Sequence, residues 1–248
     1  MAPIQVSEED GVRYLHFGSR WVQGAMRIAR PWSLELEYTR DMMLPLLLRS
    51  APSWPRSALL IGLGAASLTK FLYRHRPRTR ISVVEWDERV AVAAYRHFKL
   101  PHDPPRLTVA IDEGSAFLAR TQRSYDLILV DGFDENARPG PLESSAFYRL
   151  CRSRLTDTGV MAANLLGRSR GSRATIERIA AEFPKRCIAL GPSESGNRVV
   201  LASRAEGMAC TLDELGARAK LLRTQTTLNL GPSIDRLASQ LRGDRLEI

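Results

Sequence analysis

The chain predicts an α/β fold on a seven-stranded, mostly parallel, doubly wound sheet, and three observations carry that expectation. From Ala58 onward, short apolar, β-branched runs alternate with stretches of helical periodicity. Four successive runs end in glycine or carboxylate: Ala58–Ile61 before Gly62-Leu-Gly64, Ile81–Val84 before Glu85, Leu107–Ile111 before Asp112-Glu113-Gly114, and Asp126–Val130 before Asp131. The last two runs, 186–190 and 198–203, are separated only by Gly191–Asn197. That interval is too short for a parallel crossover, so the two should form an antiparallel hairpin.

In chain order, residues 12–17 and 21–28 alternate in character around Gly18-Ser19-Arg20 and read as a short N-terminal β-hairpin. Ser33 is the candidate N-cap of a helix running to about Ser50, and Pro52-Ser-Trp-Pro55 links that helix to the first core strand. Core strands are expected at 58–61, 80–84, 107–111, 125–130, 159–165, 186–190 and 198–203. Helices are expected at 65–75, 88–98, 114–121, 143–155 and 171–182. The stretch from Thr211 reads as two amphipathic helices with Gly231-Pro232 between them. The chain thus divides into a hairpin and helix (1–55), a nucleoside-binding domain (56–205) and a C-terminal helical extension (206–248). A Rossmann-like sheet of seven strands ending in an antiparallel hairpin looks like the class I methyltransferase fold rather than a nicotinamide-binding one.

The bulk numbers narrow the function classes. With 248 residues, 44% hydrophobic and 25% charged, the composition is that of an ordinary globular protein. Cys151, Cys187 and Cys210 are widely spaced, with no metal-ligand pattern, and suit a reducing cytoplasm. The acidic N-terminus does not read as a signal peptide, and Met42–Leu48, interrupted by Pro45, is too short to span a bilayer. The expectation is a cytoplasmic protein without membrane or metal partners. A net charge of +9 and a pI near 10.0 would suit a polyanion. The arginines are scattered and carry no interleaved aromatics, so nucleic acid is the less favoured partner.

The strand ends carry the chemistry. Gly62 and Gly64 give a tight turn and a bare backbone approach to a ligand, next to the positive N-terminal end of the following helix. Glu85, 23 residues after Gly62, can take both ribose hydroxyls of a nucleoside or stand as a solvated strand end. Asp112 and Glu113 can accept from an adenine amino group or cap the helix from Ser115. Asp131 and Asp134, with Glu135 following, can hold a cationic amine and take a proton from it. Asn164, at the fifth strand's end, is within reach of the same edge. His16, His75, His97 and His102 stand apart and read as surface or packing residues.

Several segments together resemble the spermidine synthase (polyamine aminopropyltransferase) family over about residues 20–203. They are Ile61-Gly-Leu-Gly, Val83-Val-Glu85-Trp-Asp87, Glu113-Gly-Ser-Ala-Phe-Leu118, Tyr125-Asp-Leu-Ile-Leu-Val-Asp131 with Asp134, and Phe147-Tyr with Gly159-Val. The resemblance, to a divergent short member, implies transfer of an aminopropyl group from decarboxylated S-adenosylmethionine to an amine such as putrescine. It implies that Glu85 holds the ribose and Glu113, where the family usually has Asp, faces the adenine. Asp131 would deprotonate the amine, Asp134 would bind it, and Gln23 would face the nucleoside from the hairpin. A homodimer is also implied.

The chain departs from that pattern at Ala65, where the family has an Asp that holds the aminopropyl ammonium, and in its shorter N-terminal region. Tyr38 stands near the place of a pocket-edge aromatic but out of register, and a core role is equally open. Asn136–Pro141 suits a gate but lacks the usual Asp-Pro pair. The Ala65 departure leaves intact S-adenosylmethionine open as the co-substrate, and with it a methyltransferase acting on a small molecule or RNA. A non-catalytic nucleoside-binding homologue is the third reading.

Overall fold

Three antiparallel strands, β1 (Ile4–Glu9), β2 (Val12–Phe17) and β3 (Val22–Arg27), precede the first core strand and pair in that order. The expected hairpin is β2–β3; β1 is an additional strand. Only Ile4 and Val6 of β1 are drawn partly inward, and its other four residues are exposed, so its apolar alternation is too brief to announce a strand. The structure is a computed structural model and describes residues 3–18, 22–49, 51, 53–133, 140–166, 170–205 and 208–248.

Two short helices, α1 (Glu37–Asp41) and α2 (Pro45–Leu48), replace the single helix expected after Ser33. Pro45 occupies the first turn of α2, where its missing N–H costs nothing, and Met42–Leu44 form the turn between the two. Ser33 lies outside both helices, and α1 starts after Leu36 without a side-chain cap.

From Ser57 strands and helices alternate as expected. The order is β4 (Ser57–Ile61), α3 (Ser67–His75), β5 (Arg80–Glu85), α4 (Glu88–His97), β6 (Leu107–Ile111), α5 (Gly114–Arg120) and β7 (Tyr125–Val130). Then come α6 (Ser145–Arg154), β8 (Leu155–Leu166), α7 (Arg170–Glu182), β9 (Cys187–Ala189) and β10 (Asn197–Ser203). They form one seven-stranded sheet in the order β6-β5-β4-β7-β8-β10-β9. The first five strands pair in parallel, and β10 runs antiparallel to both β8 and β9, which confirms the terminal hairpin.

Period-two alternation splits each central strand between two cores. Ala58, Leu60, Leu127, Leu129, Val160 and Leu201 face one cluster, while Leu59, Ile61, Ile128, Val130, Met161 and Val200 face the other. The first cluster also takes in Leu15 and Met26 of the N-terminal sheet and Leu215, Leu222 and Leu237 of the C-terminal helices. Those helices, α8 (Leu212–Thr226) and α9 (Gly231–Ala238), are bracketed by the paired strands β11 (Ala209–Thr211) and β12 (Arg245–Glu247). Gly231-Pro232 opens α9 instead of lying before it.

The chain runs outward from β4 to β5 and β6, then returns to β7 on the other side of β4. Strand order therefore reverses between β4 and β7, and their C-terminal ends frame the crevice where such sheets bind ligands.

Candidate active site

Gly62 follows β4 and Asp131 follows β7, so the reversal puts them side by side. Asp131 donates its N–H to the Ile61 carbonyl at 2.8 Å. A Cβ on Gly62 would lie 2.1 Å from the Asp131 carbonyl oxygen, and Gly62 has φ +95°, so both space and backbone require glycine. Gly64, at φ +50°, lies under the Gln23 backbone of β3. Gly24 of the same strand packs so closely on Ala65 that a Cβ there would come within 2.6 Å of the Ala65 Cβ. The N-terminal sheet thus lies directly on the glycine turn, and Ser67 at the start of α3 secures it by donating to the Ala25 carbonyl at 3.0 Å.

Above this turn is a cavity of about 870 Å³. Its lining brings together Gln23, Gly62, Gly64, Glu85, Asp112, Glu113 and Asp131, which come from five different segments. Asp134 lies outside the described residues. The lining holds seven carboxylates, Glu35, Glu37, Glu85, Asp112, Glu113, Asp131 and Glu194, and among the described residues no Lys, Arg or His. In a chain of net charge +9 that is a sharp local inversion.

Glu85 is buried, and its carboxylate accepts from the Leu63 N–H at 2.9 Å and the Asp87 N–H at 3.1 Å. Burial holds its carboxyl above the usual range, while the backbone donors oppose that shift. The first of these bonds locks the glycine turn to the acid at the end of the next strand.

Asp131 lies where three elements meet. Burial raises its carboxyl above the ordinary aspartate value, and two donors partly offset this. The Asn164 side chain on β8 donates to Oδ1 at 2.9 Å, and the Tyr38 hydroxyl on α1 donates to Oδ2 at 3.1 Å. Burial first, and then the Asp131 charge and hydrogen bond, hold the Tyr38 hydroxyl well above its usual range, so it stays protonated as the donor. Asn164 is itself oriented, because its Oδ1 accepts from the Asn197 amide at 3.1 Å. Asn197 in turn accepts from the Ser195 hydroxyl at 2.8 Å. Asn164 therefore reaches the cavity, and Tyr38 lines it while also packing against the hydrophobic core.

The sequence reading missed Asn197, Glu194 and Glu37. A polar residue inside the apolar run Val160–Leu166 was the available signal for Asn164. Asn197 carries a weaker version of it, standing at the head of the apolar run of β10.

Of the remaining acids, all but Glu194 are already engaged. Glu113 caps α5, accepting from Ser115 N–H at 3.0 Å and Ala116 N–H at 2.8 Å. Asp112 pairs with Arg120, and Glu35 with Arg27. Glu37 pairs with Arg236 of α9 and accepts the Glu194 N–H at 3.0 Å. Arg236 also pairs with buried Asp41 at 2.6 Å, so the C-terminal helices clamp α1 and with it Tyr38. Large apolar side chains left exposed at the cavity, Trp86, Ile111 and Val22, supply flat and aliphatic surface beside these acids. Among the described residues no group of three or more His, Cys, Asp or Glu could hold a metal ion, and no helix is long and apolar enough to cross a membrane.

Comparison with known proteins agrees with this geometry. The spermine/spermidine synthase domain matches residues 36–168. A polyamine aminopropyltransferase of Neisseria meningitidis is 31% identical over 88% of this chain and 82% of its own length. A polyamine aminopropyltransferase of Chromobacterium violaceum is 30% identical over 96% of this chain and 90% of its own. Among solved structures, a spermidine synthase in complex with the transition state analogue AdoDATO superposes with a TM-score of 0.67 at 21% identity. That superposition covers 95% of this chain and 85% of the other, and shows a common fold. Matched by the domain over more than half its length and aligned almost end to end with these relatives, the chain belongs to the spermine/spermidine synthase family.

Proposed function

We propose that the protein is a polyamine aminopropyltransferase. It moves the aminopropyl group of decarboxylated S-adenosylmethionine to the nitrogen of a cationic amine and releases methylthioadenosine. The observation that carries this reading is the cavity's charge: seven carboxylates and, among the described residues, no basic side chain, in a basic protein. Such a cavity favours a sulfonium and an ammonium together. It also disfavours intact S-adenosylmethionine, whose own carboxylate would enter a field of like charge, and it disfavours RNA. A methyltransferase and a silent nucleoside-binding homologue are therefore the weaker readings.

The residues present fit the co-substrate. Glu85 keeps carboxylate lone pairs free of its two backbone donors and holds the ribose hydroxyls beside the Gly62–Gly64 turn. Trp86 and Ile111 flank the adenine, with Asp112 and Glu113 at its edge and Gln23 closing from the N-terminal sheet. Asp131 accepts a proton from the amine, Asp134 helps bind that amine, and no metal is needed. The freed lone pair attacks the aminopropyl carbon next to sulfur. The carbon–sulfur bond breaks with its electrons to sulfur, leaving a neutral thioether. The sulfonium carries its own leaving group, so the protein's work is orientation, proton removal and electrostatic cradling.

The three cysteines are all free, which supports a reducing cytoplasmic setting. The outer edge of β1 carries no partner strand among the described residues, which supports pairing of two copies into a homodimer. Light scattering tests the dimer.

Incubation with putrescine and either form of the co-substrate, followed by chromatography of the adenosyl product, tests the activity. Methylthioadenosine from the decarboxylated form is expected. S-adenosylhomocysteine from the intact form, or no product from either, would contradict the reading.

A further inference from the structure

One cavity carboxylate stands apart from the others. Glu35, Glu37 and Asp112 are paired with arginines, Glu113 caps a helix, Glu85 is held by backbone N–H groups, and Asp131 is held by Tyr38 and Asn164. Glu194 is exposed, lines the same cavity, and makes no side-chain hydrogen bond or ion pair among the described residues. Its backbone is nonetheless fixed on both sides. Its N–H donates to Glu37, which is itself clamped by Arg236. The next residue, Ser195, begins the side-chain series through Asn197 and Asn164 to Asp131. An uncompensated negative charge is thereby held on a braced turn, joined by a continuous hydrogen-bonded path to the group that receives the amine's proton.

We propose that Glu194 determines acceptor specificity. It binds the second, distal ammonium of a diamine or polyamine whose reacting nitrogen is at Asp131. This rests on the aminopropyltransferase reading and adds a residue to it: the turn between β9 and β10 holds the acceptor's far cation. The braces on either side matter because a charge on a loose loop would hold a cation at many distances and discriminate little. Exposure limits the size of the effect, since water and salt screen an ion pair at the cavity mouth.

The test compares putrescine with butylamine, the monoamine of the same carbon length, on the unaltered enzyme and on Glu194→Gln. In the unaltered enzyme kcat/KM favours putrescine. In Glu194→Gln that preference falls about tenfold, through KM for putrescine rather than through kcat. Raising ionic strength narrows the preference in the unaltered enzyme and has little effect on the variant's. Glu194→Ala gives the same split and serves as a second variant at this exposed position. An unchanged putrescine-to-butylamine ratio in both variants overturns the assignment of Glu194 while leaving the activity standing. Absence of methylthioadenosine with either amine from the unaltered enzyme overturns the underlying activity instead.

Discussion

The Tyr38 hydroxyl donates to Asp131 Oδ2 at 3.1 Å, joining residues 93 positions apart in the chain. With Asn164 on the other oxygen, it fixes the plane of the carboxylate within the cavity. Tyr38→Phe removes a donor that favours the ionised acid, so Asp131 becomes harder to ionise. We expect the acidic limb of the pH–kcat profile to move upward in Tyr38→Phe, with kcat at neutral pH down about tenfold. A profile superimposable on that of the unaltered enzyme would show that the hydroxyl plays no part.

Asp131 carries a conflict between function and stability. Its folded-state pKa is raised, so the folded protein holds the proton more tightly than the unfolded chain does. The stability that this acid contributes is full below the unfolded value and is lost as pH rises through the folded one. Near neutral pH the ionised acid is therefore a net burden, and Asp131→Asn, a neutral isostere, is expected to keep or raise Tm there. Thermal scans at pH 5 and pH 8 check this: the variant gains relative to the unaltered protein at the higher pH.

Arg236 acts on the site from the C-terminal helices. It pairs with Glu37 and Asp41 on α1, and its carbonyl accepts the Gly191 N–H at 3.2 Å, so one residue braces both α1 and the approach to the β9–β10 turn. Arg236→Met leaves buried Asp41 without its cation and costs about 3 kcal/mol of stability by urea unfolding. The same variant should show the upward pH shift of Tyr38→Phe, which a purely structural role would not produce.

Lys70 on α3 is buried, its ammonium has no hydrogen-bond partner among the described residues, and its pKa is lowered to about 7, first by burial and then by the Lys99 charge. The unfolded chain binds more protons than the folded one between that value and the ordinary lysine range, so stability climbs with pH across that window. Lys70→Met is expected to stabilise the protein at pH 7 by roughly 2–4 kcal/mol and to flatten that slope. Paired thermal scans at pH 7 and pH 9 measure both effects.

Gly62 tolerates no side chain. Gly62→Ala sets a Cβ against the Asp131 carbonyl and strains a φ of +95°, so it should weaken co-substrate binding at least tenfold by calorimetry.

What was legible in the chain and what was not follow from the range of the contacts involved. Strand ends announce themselves locally, so Gly62, Glu85 and Asp131 could be placed on one edge from apolar runs and the residues that stop them. The roles of Asp112 and Glu113 could not be separated in advance, because ligand binding and helix capping call for the same side chain. The structure shows Glu113 capping α5 and Asp112 paired with Arg120. Tyr38 was left open between pocket edge and core because α1 is only five residues long and offers no periodicity that sets its register. Glu194 and Asn197 sit around a turn whose distance from Asp131 is set by the antiparallel pairing of β10 with β8, and no local pattern encodes that pairing. Strand β1 was missed for want of a third apolar residue on its inner face.

The account depends most directly on Asp131 as the proton acceptor, and the rate of methylthioadenosine release as a function of pH is the measurement that reaches it. With decarboxylated S-adenosylmethionine and putrescine, the unaltered enzyme should gain rate as pH rises through a limb above the usual aspartate range. Asp131→Asn should be slower by about a hundredfold or more, and should lack that limb. An Asp131→Asn enzyme that matches the unaltered rate across the whole range would contradict the account.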